Sequence, residues 1–373
     1  MRILYCFPEQ SLPMVQWQRA HFFDELSHHG IVFEVFNPLL YDNMDLAYEK
    51  LMKHIRVNSY DLFFTNMCNH FQVFPWVIDE IRKMGIPTMS YRGDNLVIPY
   101  NDKELASHFD IVWLTSKETK YLYDKWGANT YFAPYAANPY VFHFSQPDHF
   151  VHHVCFIGTP YGSRTRMMNV LLENNIDLTL FYGNSGEKKT DTNNTIPIRQ
   201  HLPSASGLEV FCNRMRHKEG RRLLWGTIVN KMVGSTDIIK NEHLHHENSV
   251  NVDKICDKYS EYVLSLASTS ALHTDVLKNP LRIINLRNFE IPMSGGIEIC
   301  RYNPELAEYF QEGKEILFYR DQNELIDKAK YYTQKASDKE ILSIKKAARL
   351  RAENEHTWMN RFKIGFDILG LKY

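Results

Sequence analysis

The feature that most constrains this chain is a repeated alternation of short apolar runs with longer helical patterns through its first half. Arg2 to Phe7 is an apolar run, Val15 to His29 has helical spacing and stops at Gly30, and Ile31 to Phe36 is apolar again. A helical pattern over Leu46 to Ile55 follows, then a strand at Asp61 to Thr65, a helix over Trp76 to Met84 and a strand at Ile86 to Tyr91. Asp110 to Thr115 reads as a further strand, and Lys117 to Trp126 as a helix closed by Gly127. This alternation predicts β-α-β units wound into a parallel α/β sheet. Ligands of such sheets lie beyond the carboxyl ends of the strands. The loops Asn66 to His70, Arg92 to Asn95 and Ser116 to Lys117 therefore become candidates for chemistry.

The plan starts again past residue 150. Val154 to Gly158 is a fresh strand, Thr159 to Ser163 a turn, Arg164 to Asn174 a helix and Ile176 to Gly183 a second strand. A strand that runs through a glycine-containing turn into a helix presents unpaired N–H groups and the positive end of a dipole, which together favour an anion. Arg164 strengthens that reading, although the turn is not a G-x-G-x-x-G fingerprint. Tyr262 to Leu266 reads as a buried strand whose loop, Ala267 to Ser270, faces a ligand. Asp338 to Glu353 reads as a long charged helix and Thr357 to Leu369 as a last one.

Composition excludes several classes. The 373 residues are 44% apolar and 23% charged, which rules out a disordered or fibrous chain and leaves room for two domains. With 43 basic against 44 acidic residues there is no global field to draw nucleic acid or an anionic membrane, and no nucleic-acid partner is expected. The six cysteines show no Cys-x-x-Cys spacing and several sit in apolar runs, as reduced thiols of a cytoplasmic protein do. No apolar run approaches the roughly 18–20 residues of a membrane span, and Met1 to Cys6 reads as a strand, not a signal peptide. Asn184 to Pro197 reads as an exposed loop. Arg214, Arg216, Lys218, Arg221 and Arg222 form either a solvated helix face or a contact for an anionic acceptor or a membrane surface. His243, His245, His246 and Glu247 have the composition of metal ligands without the spacing of a zinc site, so no metal is expected.

The stretch Arg282 to Gly296 carries the densest chemistry. Two arginines, Arg282 and Arg287, and the acid Glu290 flank a short turn of helix that stops on Ser294-Gly295-Gly296. Guanidinium groups suit phosphate oxygens, and a carboxylate accepts from paired sugar hydroxyls. A nucleotide sugar offers both, whereas a plain surface pair of Arg287 and Glu290 would contribute only a few tenths of a kcal/mol.

Arg287-Asn288-Phe289-Glu290 followed by Ser294-Gly295-Gly296 resembles the R-x-F-E-x-x-x-x-G signature of group 1 glycosyltransferases with the two-Rossmann GT-B fold, in particular their CgeB-like spore-coat branch. Leu306, Phe310, Gly313 and Glu315, then Tyr319 to Leu325, then His356-Thr357-Trp358 with Arg361, continue the resemblance over about the last 90 residues. Ala133 to Pro139 with Phe142 resembles the connection between the halves of such enzymes. The resemblance implies two Rossmann-like domains facing across a cleft. An acceptor domain would cover 1–145, a nucleotide-sugar domain 150–352, and a helix over 353–373 would return to the first domain through Trp358 and Phe362.

The implied activity is metal-independent transfer of a sugar from a nucleotide-sugar donor, a UDP-sugar first of all, to a hydroxyl on a glycan or lipid-linked acceptor. Gly158, Arg164, Arg282, Arg287, Glu290, Ser294 and Gly295 would hold the donor, with the arginines on its diphosphate and Glu290 on hydroxyls. Retaining members space two glutamates E-x7-E, and the earlier position here is Arg282, so the stereochemical outcome stays open. An inverting reaction needs a general base, for which Asp94, His70 and His21 are the candidates. An epimerase-like enzyme on nucleotide sugars and a non-catalytic glycan-binding protein are the alternatives.

Overall fold

A computed structural model describes residues 1–9, 17–67, 73–183, 206–234 and 237–373. The candidate base His70 and the loop read at 184–197 lie outside the described residues.

The strands are β1 (Arg2–Cys6), β2 (Val32–Phe36), β3 (Leu62–Thr65), β4 (Thr88–Arg92), β5 (Ile111–Leu114) and β6 (Thr130–Phe132). They form one parallel sheet in the order β2-β1-β3-β4-β5-β6. Every residue of β3, β4 and β5 is buried, which is why they read as unbroken runs and not as alternating ones. Between β1 and β2 the expected helix is described from Trp17. It passes through a π-helical turn, Arg19–Phe23, before closing as α1 (Asp24–Ser27). The other crossovers are α2 (Met44–Val57), α3 (Pro75–Lys83) and α4 (Lys120–Lys125). Asn43 caps α2 by accepting from the Leu46 N–H, and Ala47, Tyr48, Leu51, Met52 and Ile55 turn its apolar side to the core.

The second sheet contains β7 (Val151–Ile157), β8 (Leu178–Phe181), β9 (Leu244–Glu247), β10 (Tyr262–Ala267), β11 (Glu298–Arg301) and β12 (Leu317–Tyr319). All its pairings are parallel, in the order β12-β11-β10-β7-β8-β9, so the strand order reverses between β7 and β10. The helices that follow β7 along the chain are α5 (Ser163–Glu173), α6 (Gly207–Met215), α7 (Lys218–Val233), α8 (Val252–Glu261), α9 (Arg287–Met293), α10 (Leu306–Tyr309), α11 (Gln322–Gln334), α12 (Asp338–Glu355) and α13 (Trp358–Ile368). Of these, α6 and α13 do not pack with the second sheet. The chain divides into one compact unit of Met1–Tyr135, Thr192–Arg221 and Trp358–Tyr373, and another of Ala136–Asp191 and Arg222–Thr357.

The capture of α13 by the first unit has an electrostatic cause. Glu25, fully buried in α1, accepts from the backbone N–H groups of Trp358 and Met359 at 3.1 and 2.6 Å, so a carboxylate remote in sequence caps the start of α13. Trp358 and Phe362, both fully buried, then pack edge-on against Phe22 and Trp113. Among the elements that sequence reasoning did not name are β6, β9, β11, β12, α8 and α11. The basic cluster Arg214 to Arg222 spans the end of α6 and the start of α7, where Arg216, Lys218 and Arg221 are exposed. Among the described residues, no helix is long and apolar enough to cross a membrane.

Candidate functional site

The second unit gathers unpaired positive charge at the carboxyl end of β7, beside the point where its strand order reverses. Gly158 follows β7 with φ +136°, and a Cβ built on it would lie 2.7 Å from Arg287 Nη2. Only glycine lets the guanidinium lie against the backbone there. Arg164, in the first turn of α5, donates to the Thr159 carbonyl at 3.2 Å and stacks over Tyr161 at 4.5 Å. Burial, and to a lesser degree the like charge of Arg287, lower the affinity of Arg164 for its proton, yet an arginine stays charged. Neither guanidinium pairs with a carboxylate among the described residues. Two like charges held together without a counter-ion repel, and an anion bound to both relieves that repulsion.

The loop after β10 closes on the same place. A Cβ on Gly162, whose φ is +57°, would lie 2.8 Å from His273 Nδ1, and that nitrogen is buried with no hydrogen-bond partner. His273 follows Leu272, whose φ of +46° puts a bulky side chain in the left-handed region at a cost of about 1–2 kcal/mol. Such strain persists where surroundings impose it, and it clusters at binding sites.

On the other side stand Glu290, 8% exposed in α9, and Tyr259, 1% exposed in α8. Burial raises the Tyr259 phenol far above its usual range, and the opposed charges of Arg287 and Glu290 both act on it. Its hydroxyl has no hydrogen-bond partner. Lys345 of α12 supports this wall: its buried ammonium donates to the carbonyls of Tyr259 at 3.1 Å, Tyr262 at 2.8 Å and Gly295 at 3.3 Å. Asn288 secures the start of α9 by accepting from the Asn285 N–H at 2.8 Å and donating to Glu298 Oε1 at 2.6 Å.

Three of the expected donor residues are placed apart from Arg164 and Arg287. Arg282 is not with Arg164 and Arg287: an antiparallel bridge ties its backbone to Ser270, and the charges that act on it are those of Arg301 and the Tyr319 phenol. It belongs to the edge formed by the ends of β11 and β12. There a cavity of about 660 Å³ is lined by Ser268, Thr269, Ser270, Arg301, Tyr319 and Arg166, a volume in the range of small-molecule sites. Ser294 is spent on its own helix, its hydroxyl donating to the Glu290 carbonyl at 2.8 Å. Gly295 packs against Phe144, whose Cδ2 lies 2.4 Å from where a Cβ would be. Both residues shape the end of α9 and present no group to a ligand.

In the first unit, Asp94 lies in the turn after β4, exposed at its surface yet crowded by the phenols of Tyr91 and Tyr135, and the lost solvation raises its carboxyl above the usual range. The turn is rigid. Asn95 accepts from the Thr115 and Ser116 N–H groups, Tyr135 donates to the Gly93 carbonyl at 2.5 Å, and buried Arg92 pairs with Asp102 at 2.9 Å. His21 is 2% exposed, and its Nδ1 accepts from the Trp358 indole at 2.8 Å, which makes it a packing residue under α13 and a poor base.

Tyr259 and His273 were missed by sequence reasoning. Tyr259 was hidden with α8, and His273 stands alone in a loop, marked only by a site that the fold assembles.

With this geometry in place, the comparisons with known proteins can be given. The family described as glycosyl transferase-like matches residues 199–364, which includes the whole Arg282 to Gly296 stretch. No curated protein sequence matches the chain. Three solved structures are similar to it across nearly the full length of both chains. An α-glucosyltransferase in complex with UDP and a 13-mer DNA containing a HMU base shares 13% identity, covers 99% of each chain and has a TM-score of 0.60. HepE of Anabaena in complex with UDP-glucose shares 11%, covers 100% of each and scores 0.55. Sucrose-phosphate synthase from Thermosynechococcus elongatus shares 13%, covers 98% of this chain and 97% of its own, and scores 0.54. Two parallel six-stranded sheets, together with these neighbours, give the chain the two-Rossmann α/β fold of GT-B glycosyltransferases.

Proposed function

We propose that the chain transfers a sugar from a nucleotide-sugar donor to an acceptor hydroxyl. The observation that carries this reading is the close approach of Arg287 to Gly158 with Arg164 near enough to feel its charge, neither guanidinium being paired with a carboxylate among the described residues. In glycosyl transfer negative charge builds on the departing diphosphate, and fixed cations placed beforehand lower the barrier at that point. Arg287 and Arg164 take the diphosphate, aided by the first turn of α5. Glu290 accepts from ribose or sugar hydroxyls, and the unpartnered Tyr259 hydroxyl stands between the two. Arg282 is reassigned to the donor's far side, beside Arg301, whose side chain lines the 660 Å³ cavity.

UDP is the favoured nucleotide because HepE and the α-glucosyltransferase were solved with UDP or UDP-glucose. Asp94, with its raised affinity for a proton, is the base if the reaction inverts. Arg216, Lys218 and Arg221 remain the contact for an anionic acceptor or a membrane surface.

Incubation with UDP-, GDP-, dTDP- and CMP-sugars, with and without a hydroxyl acceptor, tests the proposal through nucleotide release. Steady release of one nucleotide, lost in Arg287→Ala, is the expected result. Thermal stabilisation by a nucleotide sugar without any release would instead make the chain a binding protein.

A further inference from the structure

In the first unit, one helix packs with its faces reversed. On α6, Leu208, Phe211, Cys212 and Met215 fall at i, i+3, i+4 and i+7, the spacing that gathers side chains into one stripe and that a surface helix normally turns to the core. Here the stripe faces outward: Leu208 is 73% exposed, Phe211 48% and Met215 45%, Cys212 is exposed, and no residue of the helix is buried. The side that packs is the polar one. Val210, Asn213, Arg214 and the following His217 border a narrow cavity whose other wall is Val97 to Asn101. His217, which is buried, lies against the Tyr100 ring at 5.4 Å, and the Tyr100 hydroxyl donates to the Arg216 carbonyl at 3.3 Å.

Cations follow the stripe directly. Arg216, Lys218 and Arg221 are exposed. Arg216 donates to Asn213 Oδ1 at 3.1 Å and Arg221 to the Met215 carbonyl at 3.0 Å, and neither charge meets a carboxylate among the described residues. The acids of this segment are set back: Glu209 is half-buried, and buried Glu219 accepts from the Tyr121 hydroxyl at 3.0 Å and lies 3.6 Å from the Lys218 ammonium. An aromatic and aliphatic stripe with basic groups beside it is the make-up of a helix that lies in the headgroup region of a bilayer, its apolar side chains toward the acyl chains and its cations on lipid phosphates. A second copy of the chain fits this face worse, because its own three cations would be brought against these.

We infer that α6 docks the chain on an anionic lipid surface, with Leu208, Phe211, Cys212 and Met215 immersed and Arg216, Lys218 and Arg221 on the headgroups. The helix lies in the interface and does not cross it: its nine residues span about 14 Å at about 1.5 Å each, against a hydrocarbon core of about 30 Å. Of the two partners left open for the basic cluster, the stripe selects the membrane, since a free anionic acceptor gives Phe211 and Met215 nothing apolar to enter. The inference does not depend on the donor reading: nucleotide release in solution tests the one and vesicle binding the other, so either can fail alone.

The test is co-sedimentation of the full chain with vesicles of mixed phosphatidylglycerol and phosphatidylcholine, and with vesicles of phosphatidylcholine alone. Binding to the mixed vesicles is expected, weaker on the neutral ones and falling as salt is raised, a pattern read without any variant. Phe211→Ser with Met215→Ser should weaken binding by about 10-fold or more, and so should Arg216→Gln with Arg221→Gln. All four of these side chains are exposed, so the variants should keep the parent's circular dichroism and melting temperature. Val57→Ser, which removes an exposed apolar side chain from α2 of the same unit, should bind as the parent does. No binding, equal binding to both kinds of vesicle, or binding that survives the Phe211 and Met215 substitutions overturns the inference. Dimerisation in ultracentrifugation that is lost in Phe211→Ser overturns it too, because the stripe would then belong to a second copy.

Discussion

The charge at the end of β7 rests on single residues, and each has a distinct expected effect. Arg287→Ala removes a charge-assisted contact worth about 1.5–3 kcal/mol, so kcat/KM for the preferred nucleotide sugar should fall by roughly 10–150-fold. Arg287→Lys keeps the charge but loses the planar fork, and should recover only part of that loss. Gly158→Ala should act on the same step from the other side, because a methyl group at φ +136° meets the Arg287 guanidinium. Its expected signature is weaker nucleotide binding together with a lower melting temperature, because an alanine at that φ is strained, measured on the same preparation. Tyr259→Phe removes a buried hydroxyl that no other protein group uses, so the fold should tolerate it, and any loss of donor affinity is then a loss of contact to ligand.

At the scale of elements, two buried carboxylates make opposite predictions. Glu25 caps α13 from across the first unit, and Glu25→Ala leaves two backbone N–H groups buried without partners. A cost of about 1–3 kcal/mol is expected, seen as a fall in melting temperature of about 2–4 °C for each kcal/mol. Glu298, under α9, is pushed up to about 7 by burial, against an unfolded value near 4.3. The unfolded chain therefore loses this proton first. Stability that depends on it is full below about pH 4.3 and is lost as pH rises through about 7. Glu298→Gln should abolish that slope, so in urea titrations its stability relative to the parent should grow from pH 4.3 to 7 by up to about 3 kcal/mol and then level off.

The same elements show what could be read without the structure. The strands of the first unit were legible because they are buried on both faces and interrupt helical periods. Arg287 and Glu290 stood out in the sequence because they lie three apart in one run, and Gly158 and Arg164 because a strand, a turn and a helix follow in sequence. Arg282 was grouped with Arg287 on the same ground, and the fold places the two apart. Nearness in sequence implied a shared ligand, but the bridge to Ser270 turns Arg282 toward Arg301. His21 stood on a helix whose partner, Trp358, is 337 residues away. β9 escaped notice because its Leu-His-His-Glu sequence has no apolar run, and α8 because the eye settled on the strand that follows it.

At the scale of the whole molecule, near-neutral charge means that nothing but local structure concentrates an anion here, and the unpaired arginines of the second unit supply that structure. The account's central claim is that these arginines grip a diphosphate. Calorimetric binding of UDP and of uridine to the parent chain and to Arg287→Ala tests it most directly. The parent should bind UDP well and uridine weakly, and the variant should lose about 10-fold or more of its affinity for UDP while its affinity for uridine stays the same. Equal affinity of the parent for UDP and uridine, or a variant that binds UDP as the parent does, would contradict the account.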